Sequence, residues 1–148
     1  FSKFDTYQIW CTYYDALGSD DEKYLIARAV QFFAPGIPQV YYVGLFAGRN
    51  DFGFYNRTKQ GKDINRHYYT LEDIEQEFRR PVVQRMNCLM KLRNAHPAFN
   101  GEFSLLDTDA HTLGLRWQND EEYAQLTVNF QTFSWDIVYT ENGEEKHF

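Results

Sequence analysis

The chain has 148 residues and a formal net charge of -6, and 43% of its residues are hydrophobic. This length is enough to bury the core of one ordinary domain. An acidic chain offers no basic stripe for a phosphodiester backbone, so we expect no nucleic acid partner. No apolar run approaches the roughly 18 residues of a membrane-spanning helix, so we expect no membrane partner. The aromatic content of 18% suits the binding of sugars.

The two cysteines, Cys11 and Cys88, form neither a CxxC pair nor a Cys/His metal pattern. Two isolated thiols in a chain of this length are more often free than bridged in a reducing compartment. We therefore predict free thiols and a cytoplasmic location. His96 and His111 stand alone in the sequence, and no pair of histidines has metal-ligand spacing. We predict no metal and no cofactor.

The first predicted helix begins at a capping-box pattern, Ser-Asp-Asp-Glu at residues 19–22, and continues to about Phe33. Its apolar face consists of Leu25, Ala29, Phe32 and Phe33. Pro35-Gly36 ends this helix. The next run, Ile37 to Val43, is mostly β-branched or aromatic, which predicts a strand covered on both faces, as in parallel α/β sheets.

A long segment, Gly44 to Tyr69, follows this predicted strand without a clear helix or strand pattern. Structureless stretches of this length are uncommon in compact domains unless they are functional. Residues 61–69, Gly-Lys-Asp-Ile-Asn-Arg-His-Tyr-Tyr, concentrate cations, an acid and an amide there. Ligand sites in wound α/β folds lie beyond the carboxyl ends of the strands. The sequence therefore predicts a polar ligand site in this segment.

Two more helices are predicted after this segment. Thr70 and Asp73 cap a short helix that reaches about Phe78, and Pro81 suits the first turn of a longer one that His96-Pro97 ends. The residues that recur at helical spacing in the longer helix are Val82, Met86, Leu89, Met90 and Arg93. We interpret the two methionines as part of a core stripe rather than a ligand surface.

After Phe99 the hydrophobic period changes from 3.6 to 2 in three runs, at residues 113–117, 124–130 and 133–139. This alternation predicts an antiparallel sheet with one buried face. Asn119-Asp120 and Asn142-Gly143 supply turns, and the second suits a type I′ hairpin.

Three stretches, at residues 5–14, 35–44 and 61–69, resemble the sucrose phosphorylases, members of the α-amylase clan of (β/α)8-barrel enzymes. The resemblance covers nearly all of residues 5–99. A complete barrel needs roughly 250 residues, so the resemblance implies a C-terminal piece of such an enzyme. The implied fold is the last part of a (β/α)8 barrel followed by a small antiparallel β-domain. We expect an inserted-segment tail with the acceptor-site loop at 1–18, barrel units at 19–98 and the β-domain at 99–148.

The resemblance implies transfer of a glucosyl unit from sucrose to phosphate, giving α-glucose 1-phosphate and fructose by retaining double displacement. Sucrose and phosphate are then the small-molecule partners, and the full-length form is expected to be a homodimer. The catalytic carboxylates of the family lie on earlier barrel strands, and nothing in this chain matches their motifs. We therefore expect no catalytic residue here and no activity from the chain alone.

The resemblance also implies individual binding roles. Asp5 would bind glucosyl hydroxyls, Tyr7 phosphate, and Gln8 the acceptor pocket. Lys62 and Asp63 would contact substrate from the second loop. From the residues alone we would favour a loop-capping aspartate at Asp5 and exposed loop residues at Tyr7 and Gln8, and the resemblance reverses that preference.

The sequence departs from the family pattern at two positions. Lys62 stands where the family usually has arginine, so a single point charge replaces a planar fork and puts full sucrose affinity in doubt. Trp10 stands where asparagine is usual, and its ring either stacks on sugar or fills core space, of which we favour the core. Asn65 and Arg66 are expected to stabilise the loop, and His67 to be a structural hydrogen-bonding residue.

Other functions stay open at this point. One keeps the enzyme class and changes the substrate, as in a phosphorylase for sucrose 6-phosphate or glucosylglycerate, or a plain α-glucosyl hydrolase. The other is a non-catalytic truncated remnant that retains sugar-binding residues.

Overall fold

The computed structural model describes residues 9–148. Its α-helices are α1 (Tyr13–Ala16), α2 (Asp21–Phe33), α3 (Tyr42–Leu45), α4 (Phe52–Thr58), α5 (Leu71–Glu77) and α6 (Pro81–Ala95). Two 3-10 helices span Gly61–Asn65 and Pro97–Asn100. The strands are β1 (Glu102–Leu105), β2 (Thr112–Asn119), β3 (Glu122–Asn129), β4 (Ser134–Glu141) and β5 (Glu144–His147).

The chain forms two compact units. The first comprises the residues up to Tyr24 together with Val40–Val83, and the second comprises Leu25–Gln39 and Gln84–Phe148. The first unit thus contains the polar segment for which a ligand site is predicted, and the second contains the whole sheet. The division expected from the sequence, at residues 18 and 98, stays a prediction.

Helix α2 ends at Phe33, as predicted, but its N-cap differs from the prediction. Asp20 caps the helix, because its Oδ1 accepts the backbone N–H of Glu22 at 3.0 Å and that of Lys23 at 3.1 Å. Ser19 adopts a φ of 55° and its hydroxyl donates to Asp15 instead, so the predicted serine cap is wrong. The predicted apolar face of the helix is buried.

The predicted strand at residues 37–43 does not form. Tyr41 has extended backbone angles, but α3 begins at Tyr42, and the side chain of Ile37 is 95% exposed. A strand exists only where another strand pairs with its N–H and C=O groups. Every strand in the described part of the chain belongs to the sheet between Glu102 and His147, so this run has no partner strand there.

The segment between residues 44 and 69 is not structureless, contrary to the prediction. It contains α4 and the first 3-10 helix. Asp51 caps α4 by accepting the backbone N–H of Phe54 at 2.6 Å, and Lys59, with a φ of 56°, ends it. A capping side chain holds α4, and a bond from the distant Asp51 N–H to the carbonyl of Ile64 holds the 3-10 helix. No periodic pattern signals either interaction.

Helices α5 and α6 confirm the predicted capping and boundaries. Thr70 and Asp73 form a reciprocal capping box, in which each side chain accepts the other residue's backbone N–H. Pro81 opens α6, and the helix ends at Ala95, just before His96. Of the predicted stripe, Val82, Met86 and Leu89 are buried, and Met90 and Arg93 are half-buried.

The sheet is a five-stranded antiparallel meander in the order β1-β2-β3-β4-β5. Leu115 pairs with Leu126, which pairs with Ile137, so three buried side chains stand side by side on one face. The predicted alternation is confirmed in β3 and for Leu115 and Trp117 of β2. In β4 the buried residues are Ile137 and Thr140, which do not alternate as predicted. The alternation does not extend to Phe130 and Phe133, which lie in the connection between β3 and β4 and are about half exposed.

Turns and a buried tryptophan fix the sheet within the second unit. Asn142 and Gly143 have φ values of 56° and 78°, which confirms the type I′ hairpin. The indole N–H of Trp117 donates to the carbonyl of Phe33 at 2.7 Å, joining β2 to the end of α2. The guanidinium of Arg93 lies over the Trp117 ring at 5.1 Å and carries α6 onto the same face.

Cys11 and Cys88 are free thiols, as predicted. Among the helices of residues 9–148, none is long and apolar enough to cross a membrane.

Candidate functional site

The predicted substrate-binding residues fall into two groups. Three of them lie outside the described residues: Asp5, Tyr7 and Gln8. The other two, Lys62 and Asp63, are consecutive in the 3-10 helix Gly61–Asn65. Lys62 is exposed, whereas Asp63 is only 8% exposed, so the structure does not bring the two side chains to one open surface.

The 3-10 helix that carries Lys62 packs against the ring of Trp10. A Cβ atom built on Gly61 would lie 1.9 Å from a ring carbon of Trp10, so only glycine permits this approach. Trp10 is 52% exposed, and the predicted core position is therefore wrong. The Trp10 ring covers the backbone at Gly61, where the absence of a side chain leaves room for the ring.

Asp51 holds the same segment from its other end. Its backbone N–H donates to the carbonyl of Ile64 at 2.7 Å, and its Oδ2 accepts a hydrogen bond from Nδ1 of His67 at 2.7 Å. Burial alone would raise the pKa of Asp51, but the bonds from His67 and from the Phe54 N–H outweigh it and lower that pKa below its ordinary value. His67 therefore acts as the structural hydrogen-bonding residue that we expected.

Asn50, the preceding residue, contacts a different part of the chain. Its side-chain oxygen accepts the backbone N–H of Thr12 at 2.7 Å, and its amide nitrogen lies 3.5 Å from the Sγ of Cys11. Its backbone N–H donates to Oδ2 of Asp15 at 2.8 Å. Two neighbouring residues thus bind two segments that are about fifty residues apart in the sequence.

A polar cavity of about 640 Å³ opens beside this dipeptide. It is lined by Gly48, Arg49, Asn50, Asp51, Phe52, Gly53, His67, Tyr69, Glu77 and Arg80. The wall carries the cations Arg49 and Arg80 and the acids Asp51 and Glu77, so the cavity suits a polar or hydroxyl-rich ligand better than an apolar one. No group of three His, Cys, Asp or Glu residues in the described range could hold a metal ion.

Arg80 is fixed as a cation in the cavity wall. Its guanidinium donates to the carbonyl of Phe46 and to the carboxylate of Glu77, and it lies 5.8 Å from the ring centre of Tyr14. Burial would lower the pKa of Arg80, but the bonded Glu77 raises it above its ordinary value. The arginine therefore keeps its charge at any physiological pH.

Tyr69 contributes a neutral hydroxyl to the cavity. Burial, together with the charge of Glu77, raises the pKa of Tyr69 to about 12, so its phenol keeps its proton at neutral pH. Its ring meets that of His67 edge-on with centres 4.6 Å apart. A protonated phenol can donate a hydrogen bond to a ligand oxygen.

Sequence reasoning missed most of the cavity wall. The one signal in the sequence is the polar triplet Arg49-Asn50-Asp51, which lies between Phe46 and Phe52. Glu77 is the last residue of α5, and Arg80 lies three residues beyond it. Charged residues at such positions ordinarily face solvent. Only the fold brings Glu77 and Arg80 to Asp51 and Asn50.

A second cavity, of about 460 Å³, lies in the second unit. One of its lining residues is His96, whose Nε2 donates to the carbonyl of Thr140 at 2.6 Å and whose Nδ1 accepts the N–H of Ala98 at 3.3 Å. Both ring nitrogens are occupied by backbone groups. His96 therefore ties the end of α6 to β4 and is not available to a ligand.

No protein-family model matches the chain. A sucrose 6(F)-phosphate phosphorylase from Thermoanaerobacterium thermosaccharolyticum is 51% identical over 143 residues, which are 96% of this chain and 29% of the relative. A sucrose phosphorylase from Agrobacterium vitis is 54% identical over 129 residues, which are 87% of this chain and 26% of the relative. The crystal structure of sucrose 6F-phosphate phosphorylase from Thermoanaerobacter thermosaccharolyticum matches 95% of this chain with a TM-score of 0.92 and 50% identity.

The chain is thus homologous to one part of the glycoside phosphorylases, and it spans only 26 to 29% of the length of these relatives. Its relatives in that class include sucrose phosphorylases and sucrose 6F-phosphate phosphorylases, which confirms the resemblance found in the sequence. The matched part is the C-terminal region of the solved structure, which bears out the predicted fold class, although the strand at residues 37–43 does not form.

Proposed function

We propose that the whole protein is a phosphorylase that transfers a glucosyl unit from sucrose to phosphate, giving α-glucose 1-phosphate and fructose. The observation that carries the proposal is the 54% identity to a sucrose phosphorylase over 129 residues. The polar cavity of the first unit supports it, because its charged and hydroxyl groups suit sugar and phosphate oxygens.

The chemistry we propose is a retaining double displacement. A carboxylate attacks the anomeric carbon of the glucosyl unit while a carboxylic acid about 5 Å away protonates the leaving fructosyl oxygen. A phosphate oxygen then attacks the glucosyl-enzyme ester, gives its proton to the second carboxylate, and releases the first. No motif of this carboxylate pair is found in the chain, so we assign the pair to another part of the protein.

The chain's own contribution in this proposal is substrate binding. Asp5 accepts hydrogen bonds from glucosyl hydroxyls, Tyr7 donates to phosphate, and Gln8 contacts the acceptor pocket. Lys62 donates to the glucosyl unit from the 3-10 helix. Asp63, being nearly buried, supports that helix from inside as well as bounding the sugar site.

A sucrose 6-phosphate phosphorylase is the second candidate. The relative named for that substrate is 51% identical over 96% of this chain, almost as similar as the sucrose phosphorylase. The substrates of the two candidates differ by one phosphate group on the fructosyl unit. A site binds such a group with additional cationic side chains. A hydrolase or a glucosylglycerate phosphorylase is the less supported alternative.

The test is a donor panel with the full-length protein and inorganic phosphate. We expect α-glucose 1-phosphate from sucrose, with higher kcat/KM than from sucrose 6-phosphate, glucosylglycerol or glucosylglycerate. A higher kcat/KM for another donor would replace sucrose by that donor. Release of free glucose at the same rate with and without phosphate would show a hydrolase.

The remnant alternative predicts a different result. If the gene upstream of the codon for Phe1 lacks an open frame with the family's carboxylate motifs, the chain is a truncated product and the enzyme proposal fails. Sequencing that region decides between the two readings.

We also propose a cytoplasmic, homodimeric full-length protein. The free thiols at Cys11 and Cys88 support a reducing compartment. Light scattering after size-exclusion chromatography measures the oligomeric state, and a monomer at micromolar concentration would contradict the dimer.

A further inference from the structure

The adjacent residues Asn50 and Asp51 contact both parts of the chain that carry the predicted substrate-binding residues. Asn50 binds residues 11–15, which follow the predicted Asp5, Tyr7 and Gln8 in the sequence. Asp51 binds residues 64–67, which follow Lys62 and Asp63.

We propose that Asn50 and Asp51 are positioning residues for the phosphorylase reaction, Asn50 for the acceptor-side segment and Asp51 for the glucosyl-side segment. The proposal rests on the proposed function for its substrates, whereas the two sets of contacts stand independently of it.

The bonds made by Asn50 are ones that the acceptor-side segment cannot easily replace. Thr12 is only 5% exposed, so its backbone N–H would lose its partner without gaining water if the Asn50 side chain were removed. The carboxylate of Asp15 fixes the backbone of Asn50 in return and also accepts the hydroxyl of Ser19. Asn50 thus fixes the start and the end of α1.

Asp51 uses three different groups for three partners. Its Oδ1 caps α4, its Oδ2 accepts from His67, and its backbone N–H reaches Ile64 in the 3-10 helix. The carboxylate side chain is 18% exposed, so its charged hydrogen bond to His67 is partly shielded from water. Loss of that charge should loosen the 3-10 helix and with it the position of Lys62.

Hydrogen exchange of the full-length protein, followed by mass spectrometry, tests the two contacts separately. Asp51→Asn keeps an acceptor for the α4 cap and removes the charge that His67 binds. We expect exchange in residues 62–67 to rise by about tenfold while residues 11–15 stay within about twofold of the unmodified protein. Asn50→Ala should produce the opposite pattern. Equal acceleration of both segments, or of neither, would overturn the proposal.

Second variants keep this test decisive if a first one unfolds. His67→Ala removes one bond of Asp51 and leaves its cap and backbone bonds, and Asp15→Asn weakens the backbone bond of Asn50. Each should reproduce the pattern of its partner, whereas an effect in the other segment would count against the proposal. Matched controls are Asn56→Ala in the exposed part of α4 and Asp107→Asn on the surface, which should change neither segment.

Steady-state kinetics then test the catalytic consequence. We expect Asp51→Asn to raise KM for sucrose by about tenfold more than KM for phosphate, because Lys62 and Asp63 are assigned to the sugar. Asn50→Ala should raise both KM values, since Tyr7 is assigned to phosphate and Asp5 to the glucosyl unit. If the two residues had a purely structural role, both variants would have a lower kcat. Their KM values for sucrose and for phosphate would then not change by different factors. If the unmodified protein forms no glucose 1-phosphate, the proposed function fails, and the exchange pattern still decides whether the two residues position these segments.

Discussion

Asp51 shows how one residue decides the geometry of a loop. Burial pushes its pKa up, yet two hydrogen bonds to its oxygens lower that pKa, so the folded chain holds the ionised carboxylate more firmly than the unfolded chain does. The side chain of its neighbour Asn50 is neutral and accepts the backbone N–H of Thr12. Of the two adjacent side chains, only that of Asp51 can lose its charge in acid.

The first prediction concerns acid stability. Because the folded-state pKa of Asp51 lies below its ordinary value of 3.8, its stabilisation is present above that value and is lost as the pH falls through the folded-state pKa. We expect the melting temperature of the unmodified protein to fall more steeply below about pH 4 than that of Asp51→Asn. Asp107→Asn serves as the control. Parallel curves for Asp51→Asn and the unmodified protein would refute the coupling.

The second prediction concerns Lys62, which is exposed on the 3-10 helix. If this position binds the glucosyl unit, Lys62→Arg should raise kcat/KM for sucrose several-fold, or about 1 kcal/mol, since a planar fork can make two bonds to adjacent hydroxyls. Steady-state kinetics of the full-length protein measure it, with Lys59→Arg in the preceding turn as the matched control. Unchanged or lowered efficiency would mean that Lys62 is a surface charge.

At the scale of elements, patterns of residues close in the sequence predicted the helices and strands that interactions between such residues stabilise. The capping box of α5, the proline that opens α6 and the alternation in β3 appear in the structure where the sequence places them. The run at residues 37–43 has a strand's composition but no partner strand in the described part of the chain. The bonds of Asn50 and Asp51 join distant residues, and no periodicity announces them.

The third prediction tests the capping box of α5. Thr70→Ala removes the hydroxyl that accepts the N–H of Asp73 and should lower the free energy of unfolding by about 1 kcal/mol. Thr70→Ser keeps the hydroxyl and should cost much less. Chemical denaturation of the three proteins measures the difference, and equal losses for alanine and serine would show that the box does not stabilise the fold.

At the scale of the whole molecule, most of the exposed large apolar side chains belong to the first unit. They include Ile9, Trp10, Tyr13, Tyr41, Tyr42, Phe52, Tyr68, Leu71 and Phe78. Monomeric proteins seldom leave so much apolar surface in water. The chain spans only 26 to 29% of its relatives, so we expect the rest of a full-length phosphorylase to cover part of this surface.

The central proposal is that this chain supplies the substrate-binding part of a sucrose phosphorylase whose catalytic carboxylates lie elsewhere in the protein. The most direct measurement places residues 5–148 in the corresponding region of the Agrobacterium vitis enzyme and follows α-glucose 1-phosphate formed from sucrose and phosphate. We predict that this hybrid forms the product and that the 148-residue chain alone forms none above the buffer control. A folded hybrid without phosphorolysis, or product formed by the isolated chain, would contradict the claim.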